Sequence, residues 1–376
     1  MGMGRNCARV TGTAGGTAPL NATILEVAAL TTGDEAVDGM TALRYTDFAG
    51  VVVRQLVLVS ALLVFQVGGV RAQAPAPARP AAAAATMPAT LQPDPPMSCS
   101  ACAEWNLPRT PFKVFGNTYF VGSMGLSSLL IATDQGLVLI DVALPQSAPL
   151  IDANITALGF KATDVKYILT SHAHFDHVGG MRSMQRYTRA TVLASRDTAR
   201  ALALGHPVPE DPQFEAASNS QDFPAFTEGV RAMKDGETVR VGSTTITAHY
   251  TPGHTPGATT WTWQSCEGAR CLNMVYVDSL TAVSNGTYRF TGGGGAPGIV
   301  ASFRASLRTV AALPCDVLLS THPSATSMDD KVARRATAGV APGATGDPFV
   351  AAGACTTLAD RSMKALDERV ASEGKK

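Results

Sequence analysis

Short hydrophobic runs separated by glycine turns dominate the chain from about Phe112 onwards. NTYFVGS, SSLLIAT and GLVLIDVA predict successive strands, because they are rich in β-branched and aromatic residues. PQSAPLIDANITALGF then has helical spacing, with Pro145 in its first turn and Gly159 at its end. DVKYILT predicts a further strand, which leads directly into TSHAHFDHVGG, residues 170–180. This polar segment is therefore expected on a loop between a strand and a helix that begins near Val178.

The second half of the chain repeats the alternation. ETVRV, TTITAHYT, TTWTWQ and LNMVYVD predict strands, and GIVASFRASLRTVAAL predicts a helix. CDVLLST predicts a buried strand that ends at His322, and a terminal helix follows from Cys355. Two strand-rich halves that each carry helices predict an α/β protein whose sheets pack together and are covered on their outer faces.

The region before this alternation has a different pattern. Leu56 to Val70, LVLVSALLVFQVGGV, is a continuous apolar run that is shorter than the roughly 20 residues needed to cross a bilayer. Small residues near its end favour signal-peptidase cleavage after Ala72. We therefore predict an upstream segment and signal peptide over residues 1–72, with Met40 as an alternative start, and export to the periplasm or the medium.

A lead-in and one folded domain are expected after the cleavage site. Residues 73–98 are rich in proline and alanine, which predicts a disordered segment. The folded domain then covers residues 99–376. The sequence has 30 basic and 30 acidic residues, so it has no basic footprint for nucleic acid. We expect a small-molecule partner, and no membrane anchor once the signal is removed.

Cysteine usage agrees with export. Removal of the leader takes away Cys7, one of seven cysteines, and leaves six that can pair completely in an oxidising compartment. Cys266 and Cys271 flank the short hairpin-like loop CEGARC and are natural partners. Cys99 and Cys102 form a CxxC motif without a second CxxC pair, which makes a structural zinc ribbon there the weaker interpretation.

The segment HAHFDH is the strongest chemical signal. His172 and His174 are two residues apart, so an extended backbone points both imidazoles the same way, and Asp176 and His177 follow. Histidine nitrogens with a carboxylate oxygen are the ligands that zinc takes when its site performs chemistry. Four such side chains cannot all reach one ion from one short loop, so further ligands are expected at strand ends.

Two other histidines fit that expectation. His254 lies in TPGHTPG, where prolines and glycines predict a rigid turn after a strand, and His322 ends a buried strand. His206 in a proline-rich loop and His249 inside a strand are expected to be ordinary histidines. Five histidines and one aspartate are enough ligands for two metal ions.

Four segments resemble the metallo-β-lactamase superfamily, and specifically its subclass B3 β-lactamases. They are SHAHFDHVGG, TPGHTPGATTWTW, MVYVDSLTA and ALPCDVLLSTHPSAT, in the family's order. The resemblance runs from about Trp105 to the terminal helix. It implies an αβ/βα four-layer sandwich, with two facing mixed β-sheets and helices outside, in which residues 99–376 are the catalytic domain. It also implies a monomeric, secreted zinc β-lactamase that confers resistance to β-lactam antibiotics.

The resemblance implies two zinc ions per chain. One is held by His172, His174 and His254, and the other by Asp176, His177 and His322. A hydroxide formed from a water shared by the zinc ions then attacks the lactam carbonyl, and Asp176 orients it. Ser279 stands where other β-lactamase subclasses recruit a cysteine ligand.

Substrate contacts and a further cysteine pair are also implied. Ser279 and Thr281 are expected to bind the carboxylate of the β-lactam. Gln213 and Phe214 lie in the 206–226 stretch that would overhang the groove, where substrate contact and loop packing are both open. Cys315 is expected to pair with Cys355. Met124 stands where close relatives have a cysteine, so Cys99 and Cys102 either pair with each other or remain free.

Two other functions remain open at this point. A glyoxalase II-like thioesterase or a lactonase of the same superfamily would use an aspartate that bridges both metals, and Asp278 could supply it. A non-catalytic zinc-binding module on the same scaffold is the second alternative. The positions of Asp278 and Ser279 relative to the metal ligands distinguish the first alternative from a β-lactamase.

Overall fold

The computed structural model describes residues 90–216, 218, 220–293, 295 and 297–375. These residues fall within the second of the two units into which the chain divides, residues 80–376. The predicted signal segment, Met40, Cys7 and residues 73–89 of the lead-in lie outside the described residues. No helix in the described part of the chain is both long and apolar enough to span a bilayer.

Seven strands form the first sheet, in the spatial order of their sequence. They are β1 (Phe112–Phe115), β2 (Thr118–Phe120), β3 (Leu129–Thr133), β4 (Gly136–Ile140), β5 (Val165–Leu169), β6 (Thr191–Ser195) and β7 (Val230–Met233). Strands β1 to β4 pair antiparallel, whereas β4 to β7 pair parallel. Strand β4 is buried on both faces, which explains why its sequence is a continuous apolar run.

Five strands form the second sheet, in the order β12–β11–β10–β9–β8. They are β8 (Thr238–Val241), β9 (Thr244–Tyr250), β10 (Thr259–Glu267), β11 (Arg270–Val277) and β12 (Val317–Ser320). Only β11 and β12 pair parallel. Strand β9 alternates between the buried Ile246 and Ala248 and the more exposed Thr245 and Thr247, as a strand with one open face should.

Helices cover both outer faces. They are α1 (Cys102–Trp105), α2 (Ala148–Ala157), α3 (Phe175–Val178), α4 (Met181–Thr188), α5 (Arg196–Leu204), α6 (Val300–Ala312), α7 (Met328–Ala338) and α8 (Ala354–Glu373). Residues of α2, α4 and α5 pack on the first sheet, and residues of α6 and α8 pack on the second. Large side chains such as Phe120 and Trp261 fill the space between the sheets. The predicted four-layer sandwich is confirmed.

Several elements were absent from the sequence prediction. These are β1, β6, β7, α1, α5 and α7. Helix α5 did carry a local sequence signal, which is the serine before its first residue, a preferred N-cap. In the structure the Ser195 hydroxyl caps the helix by accepting from the Thr198 N–H at 3.2 Å. The helix expected from Val178 instead begins at Phe175 and is interrupted between α3 and α4. Asp176 and His177 therefore lie on a helical turn.

The end of the predicted disordered lead-in is packed on the helix layer. Asp94 accepts a hydrogen bond from Arg186 on α4 at 2.8 Å, and Met97 exchanges backbone hydrogen bonds with the Gln146 amide. Met97 also contacts the apolar core. These contacts anchor Asp94 and Met97 at the end of the lead-in, and its composition alone does not show them.

The structure places three pairs of cysteine sulfurs at bonding distance. Two are the expected pairs, Cys266 with Cys271 at the β10–β11 turn and Cys315 with Cys355. The third joins Cys99 to Cys102, one of the two arrangements that the sequence left open. The second pair links the start of the β12 segment to the first turn of α8.

Arg335 on α7 fastens that helix to the edge strand β1. Its guanidinium donates to both carboxylate oxygens of Asp347, at 2.9 and 2.7 Å, and to the carbonyls of Lys113 and Val114 at 3.0 Å. Asp347 is buried. Removing the guanidinium leaves a buried carboxylate without its countercharge, which is costly.

We expect Arg335→Ala to lower the free energy of unfolding by about 3 kcal/mol, measured by urea denaturation. Arg334→Ala is the matched control, because Arg334 lies next to it on α7 and pairs with Asp330 in solvent. The control should change stability little. Equal effects of the two substitutions would show that the Asp347 contact is not what stabilises this edge.

Candidate metal centre

The loop after β5 is fixed from both sides of the sandwich. Trp261 of β10 donates its indole N–H to the Thr170 carbonyl at 3.1 Å. The Asp141 carboxylate, at the end of β4, accepts from the backbone N–H and the hydroxyl of Ser171 at 2.8 and 2.7 Å. All four residues are buried. These contacts hold the backbone that carries four of the six predicted metal ligands.

A change of backbone conformation, from extended to helical, separates the four ligands of this loop into two pairs. His174 is extended, with φ −106° and ψ 151°, whereas Asp176 and His177 lie in α3 immediately after it. The structure consequently sorts the ligands into two groups, each completed by one distant histidine.

The first group consists of His172, His174 and His254. One ligand atom from each lies within 4.8 Å of the others, and all three side chains are buried. His254 arrives from the turn after β9. A Cβ on the preceding Gly253 would lie 2.2 Å from the ring of Phe303 on α6, so only glycine at this position allows the turn to pack against α6. The sequence predicted the rigid turn, and the structure brings it beside the loop after β5.

Each imidazole of the first group has a partner on its outer nitrogen. His172 Nδ1 lies 3.1 Å from the Ser171 hydroxyl, its hydrogen-bond partner, and 2.7 Å from Asp278 Oδ1. His174 Nε2 lies 3.2 Å from both Asp211 oxygens, and His254 Nδ1 lies 3.0 Å from the Thr281 carbonyl oxygen. Such partners set the ring orientation and the tautomer. The inner nitrogen of His172, Nε2, is buried without a hydrogen-bond partner. A metal ion at this position would satisfy it.

The second group consists of Asp176, His177 and His322. Asp176 Oδ2 lies 3.2 Å from His177 Nε2 and 3.4 Å from His322 Nε2. His322 Nδ1 donates to the Gly125 carbonyl at 3.3 Å, and its ring packs against Trp105 with centroids 5.4 Å apart. The three ligand atoms lie within 4.8 Å of one another. This nitrogen and oxygen donor set fits zinc.

Electrostatics favours the protonation states that metal ligands need at His172, His254 and Asp176, whereas at His174 burial acts to lower the pKa but the Asp211 carboxylate outweighs it and raises the pKa. Burial, followed by the neighbouring imidazoles, lowers the pKa of His172 well below its usual value, and burial with His174 lowers that of His254 to about 3. Burial acts to raise the pKa of Asp176, but His177 and His322 outweigh it and hold that pKa well below its usual range. Neutral imidazoles and an ionised carboxylate are the states that bind metal.

Both groups open into one groove of about 1000 Å³, which Ser279, Thr281 and Gln213 also line. The Ser279 hydroxyl lies 2.8 Å from that of Thr321, and the Thr281 hydroxyl lies 3.1 Å from His254 Nδ1. The Gln213 amide nitrogen lies 3.4 Å from both His174 Nδ1 and His254 Nε2. Phe214 instead packs on the ring of His206, away from the groove lining.

Known proteins that resemble this chain agree with the arrangement of two metal-ligand groups. A family model of the metallo-beta-lactamase superfamily matches residues 122–322, more than half of the chain and all six ligand positions. The chain belongs to the metallo-β-lactamase superfamily. It covers 100% of the solved Rm3 metallo-β-lactamase at 46% identity, with a TM-score of 0.69 over 74% of this chain.

Solved relatives place this metallo-β-lactamase in subclass B3. The chain covers 99% of MEM-A1, a subclass B3 enzyme isolated from a soil metagenome library, at 43% identity and a TM-score of 0.67 over 72% of this chain. It is also 32% identical, over 109 residues, to the N-acyl homoserine lactonase AttM of Agrobacterium fabrum. That match covers 27% of this chain and 37% of the lactonase. The chain spans 24% to 58% of the length of the curated relatives that it matches.

Residues outside the ligand sets escaped the sequence prediction. Asp211 and Asp141 had no distinguishing neighbours in sequence, yet Asp211 contacts His174 and Asp141 anchors the loop after β5. Trp105 marked only the start of the family resemblance, and its contact with His322 was not foreseen. The one available signal was the position of Asp211 in the stretch expected to overhang the groove.

Proposed function

We propose that this chain is a zinc-dependent β-lactamase that hydrolyses the amide bond of the β-lactam ring. The observation that carries the proposal is the pair of complete donor groups that open into one groove. The similarity to Rm3 along its whole length supports it. In the proposed site, one zinc ion binds His172, His174 and His254, and a second binds the three residues of the second group.

Bound zinc ions supply Lewis acidity, which lowers the pKa of a water molecule towards 7 and polarises a carbonyl group. Asp176 can accept a hydrogen bond from the attacking water and so orient it towards the lactam carbonyl carbon. Ser279 and Thr281 hydroxyls donate to the substrate carboxylate, and the Gln213 amide contacts the substrate where it crosses the first group. Ring opening breaks the C–N bond, and the products are a new carboxylate and a protonated ring nitrogen.

The position of Asp278 favours a β-lactamase over a thioesterase or a lactonase with a bridging aspartate. Its Oδ1 lies against the outer nitrogen of His172, and Asp278 contributes no atom to either donor group. The complete donor sets also argue against a non-catalytic zinc-binding module. The partial match to a lactonase keeps lactone opening as the second function to test.

We also propose that the mature chain acts in the periplasm or outside the cell, as a monomer that confers β-lactam resistance. The three cysteine pairs at bonding distance support an oxidising compartment. Expression with and without residues 1–72 in a susceptible bacterium, followed by the inhibitory concentration of a β-lactam, tests export and resistance together.

The proposed reaction predicts chelator-sensitive ring opening. The purified chain should hydrolyse a chromogenic cephalosporin, lose that activity after zinc chelation, and regain it with added zinc. An N-acyl homoserine lactone and a glutathione thioester serve as parallel substrates. Faster turnover of either alternative than of every β-lactam would contradict the proposal, and so would unchanged activity in the metal-free protein.

A further inference from the structure

One face of α8 forms a wall of the groove. Leu358, Arg361, Ser362 and Ala365 all line it, and their spacing of three and four residues places them on the same side of the helix. Arg361 is the only lysine or arginine among the described residues that line the groove. The wall therefore presents a single permanent positive charge.

The guanidinium of Arg361 is held close to the second donor group. Its Nη2 donates to the Ala325 carbonyl at 2.6 Å, and the Ala325 N–H donates to the His322 carbonyl at 3.0 Å. One turn of 3₁₀-helix separates these two carbonyls, which is a rise of about 6 Å. Arg361 is thus anchored one turn beyond a proposed zinc ligand.

Most of the donor capacity of this guanidinium is unused within the described part of the chain. A guanidinium carries five N–H donors, and the Ala325 carbonyl is the one acceptor found for them there. No described carboxylate forms an ion pair with it, unlike Arg369 on the same helix, which pairs with Glu373 at 2.7 Å. Arg361 can therefore receive an anion from the groove in a bidentate contact.

We propose that Arg361 recognises the carboxylate of the β-lactam substrate and supplies the charge that Ser279 and Thr281 lack. Those hydroxyls are neutral and are already shared with Thr321 and His254. A substrate carboxylate directed towards α8 would meet Arg361, the one lysine or arginine among the described residues that line the groove. The proposal rests on the proposed β-lactamase function and names the residue that selects for anionic substrates.

The test compares a cephalosporin carrying its free carboxylate with the neutral methyl ester of the same compound. For each protein variant, the ratio of kcat/KM for acid to ester isolates recognition of the charge, because defects in folding or zinc content affect both substrates. We expect Arg361→Ala to lower this ratio about fivefold, mainly through KM, and Arg361→Lys to restore part of it. Added salt should lower the ratio in the wild type more than in Arg361→Ala.

Lys364→Gln is the matched control, because it removes a positive charge from the same helix one turn away, outside the groove lining. It should leave the ratio unchanged. A wild-type ratio that survives Arg361→Ala, or that falls equally in Lys364→Gln, overturns the role of Arg361 while β-lactam hydrolysis stands. Absence of hydrolysis of both compounds by the wild type overturns the proposed function itself.

Discussion

Asp176→Ala is expected to lower kcat/KM for a chromogenic cephalosporin by about 10³-fold. Asp176 Oδ2 lies 3.2 Å from His177 Nε2 and 3.4 Å from His322 Nε2. Asp176 is the only carboxylate among the three ligands of its group, because the other two are histidines. The substitution removes that ligand and also the acceptor that orients the attacking water. Both losses act on the chemical step, so most of the effect should appear in kcat.

Zinc content separates the two losses. If Asp176 both binds zinc and orients water, the variant should bind about one zinc fewer, and excess zinc should restore occupancy without restoring kcat. Asp164→Ala provides the control, because Asp164 is exposed at the opposite end of β5 from the ligand loop. Wild-type turnover by Asp176→Ala with full zinc content would show that another group orients the nucleophile.

Elements with strong hydrophobic periodicity were predictable from the sequence. Strands β3, β4 and β12 are largely apolar runs bounded by turns, and their burial on the sheets follows from that pattern. Strand β7 was not predictable in the same way, because only its last residue is buried and its sequence, VRAM, has no clear alternation. Its position is set by pairing with β6, a non-local contact that local sequence does not encode.

The ligands could be named from local sequence because three histidines and an aspartate cluster in one loop, and because His254 and His322 follow the ends of strands. Their division into two groups came from the family resemblance, and the geometry agrees with it. The outer partners could not be named, since Asp211 and Asp278 reach His174 and His172 only after distant segments fold together. The Cys99–Cys102 pairing was likewise left open because spacing allows both states.

His172→Ala should remove the first zinc ion and lower kcat/KM by about 10³-fold or more. His172 is fully buried, its Nε2 has no hydrogen-bond partner, and its Nδ1 lies 2.7 Å from Asp278. Alanine therefore removes one of three inner nitrogens and leaves Asp278 without the imidazole it contacts. Zinc per chain, measured after dialysis, should fall by about one, because the second group retains all three ligands.

His249→Ala separates this effect from a general loss of histidine. His249 lies on β9, where its Nε2 contacts the Thr262 hydroxyl at 2.8 Å, and it belongs to neither donor group. That variant should keep its zinc and its turnover. Loss of both zinc ions in His172→Ala would mean that the two groups bind cooperatively, whereas retention of both with near-normal kcat would remove His172 from the metal site. Because each result concerns metal content as well as activity, the ligand assignment can fail even if β-lactam hydrolysis is established.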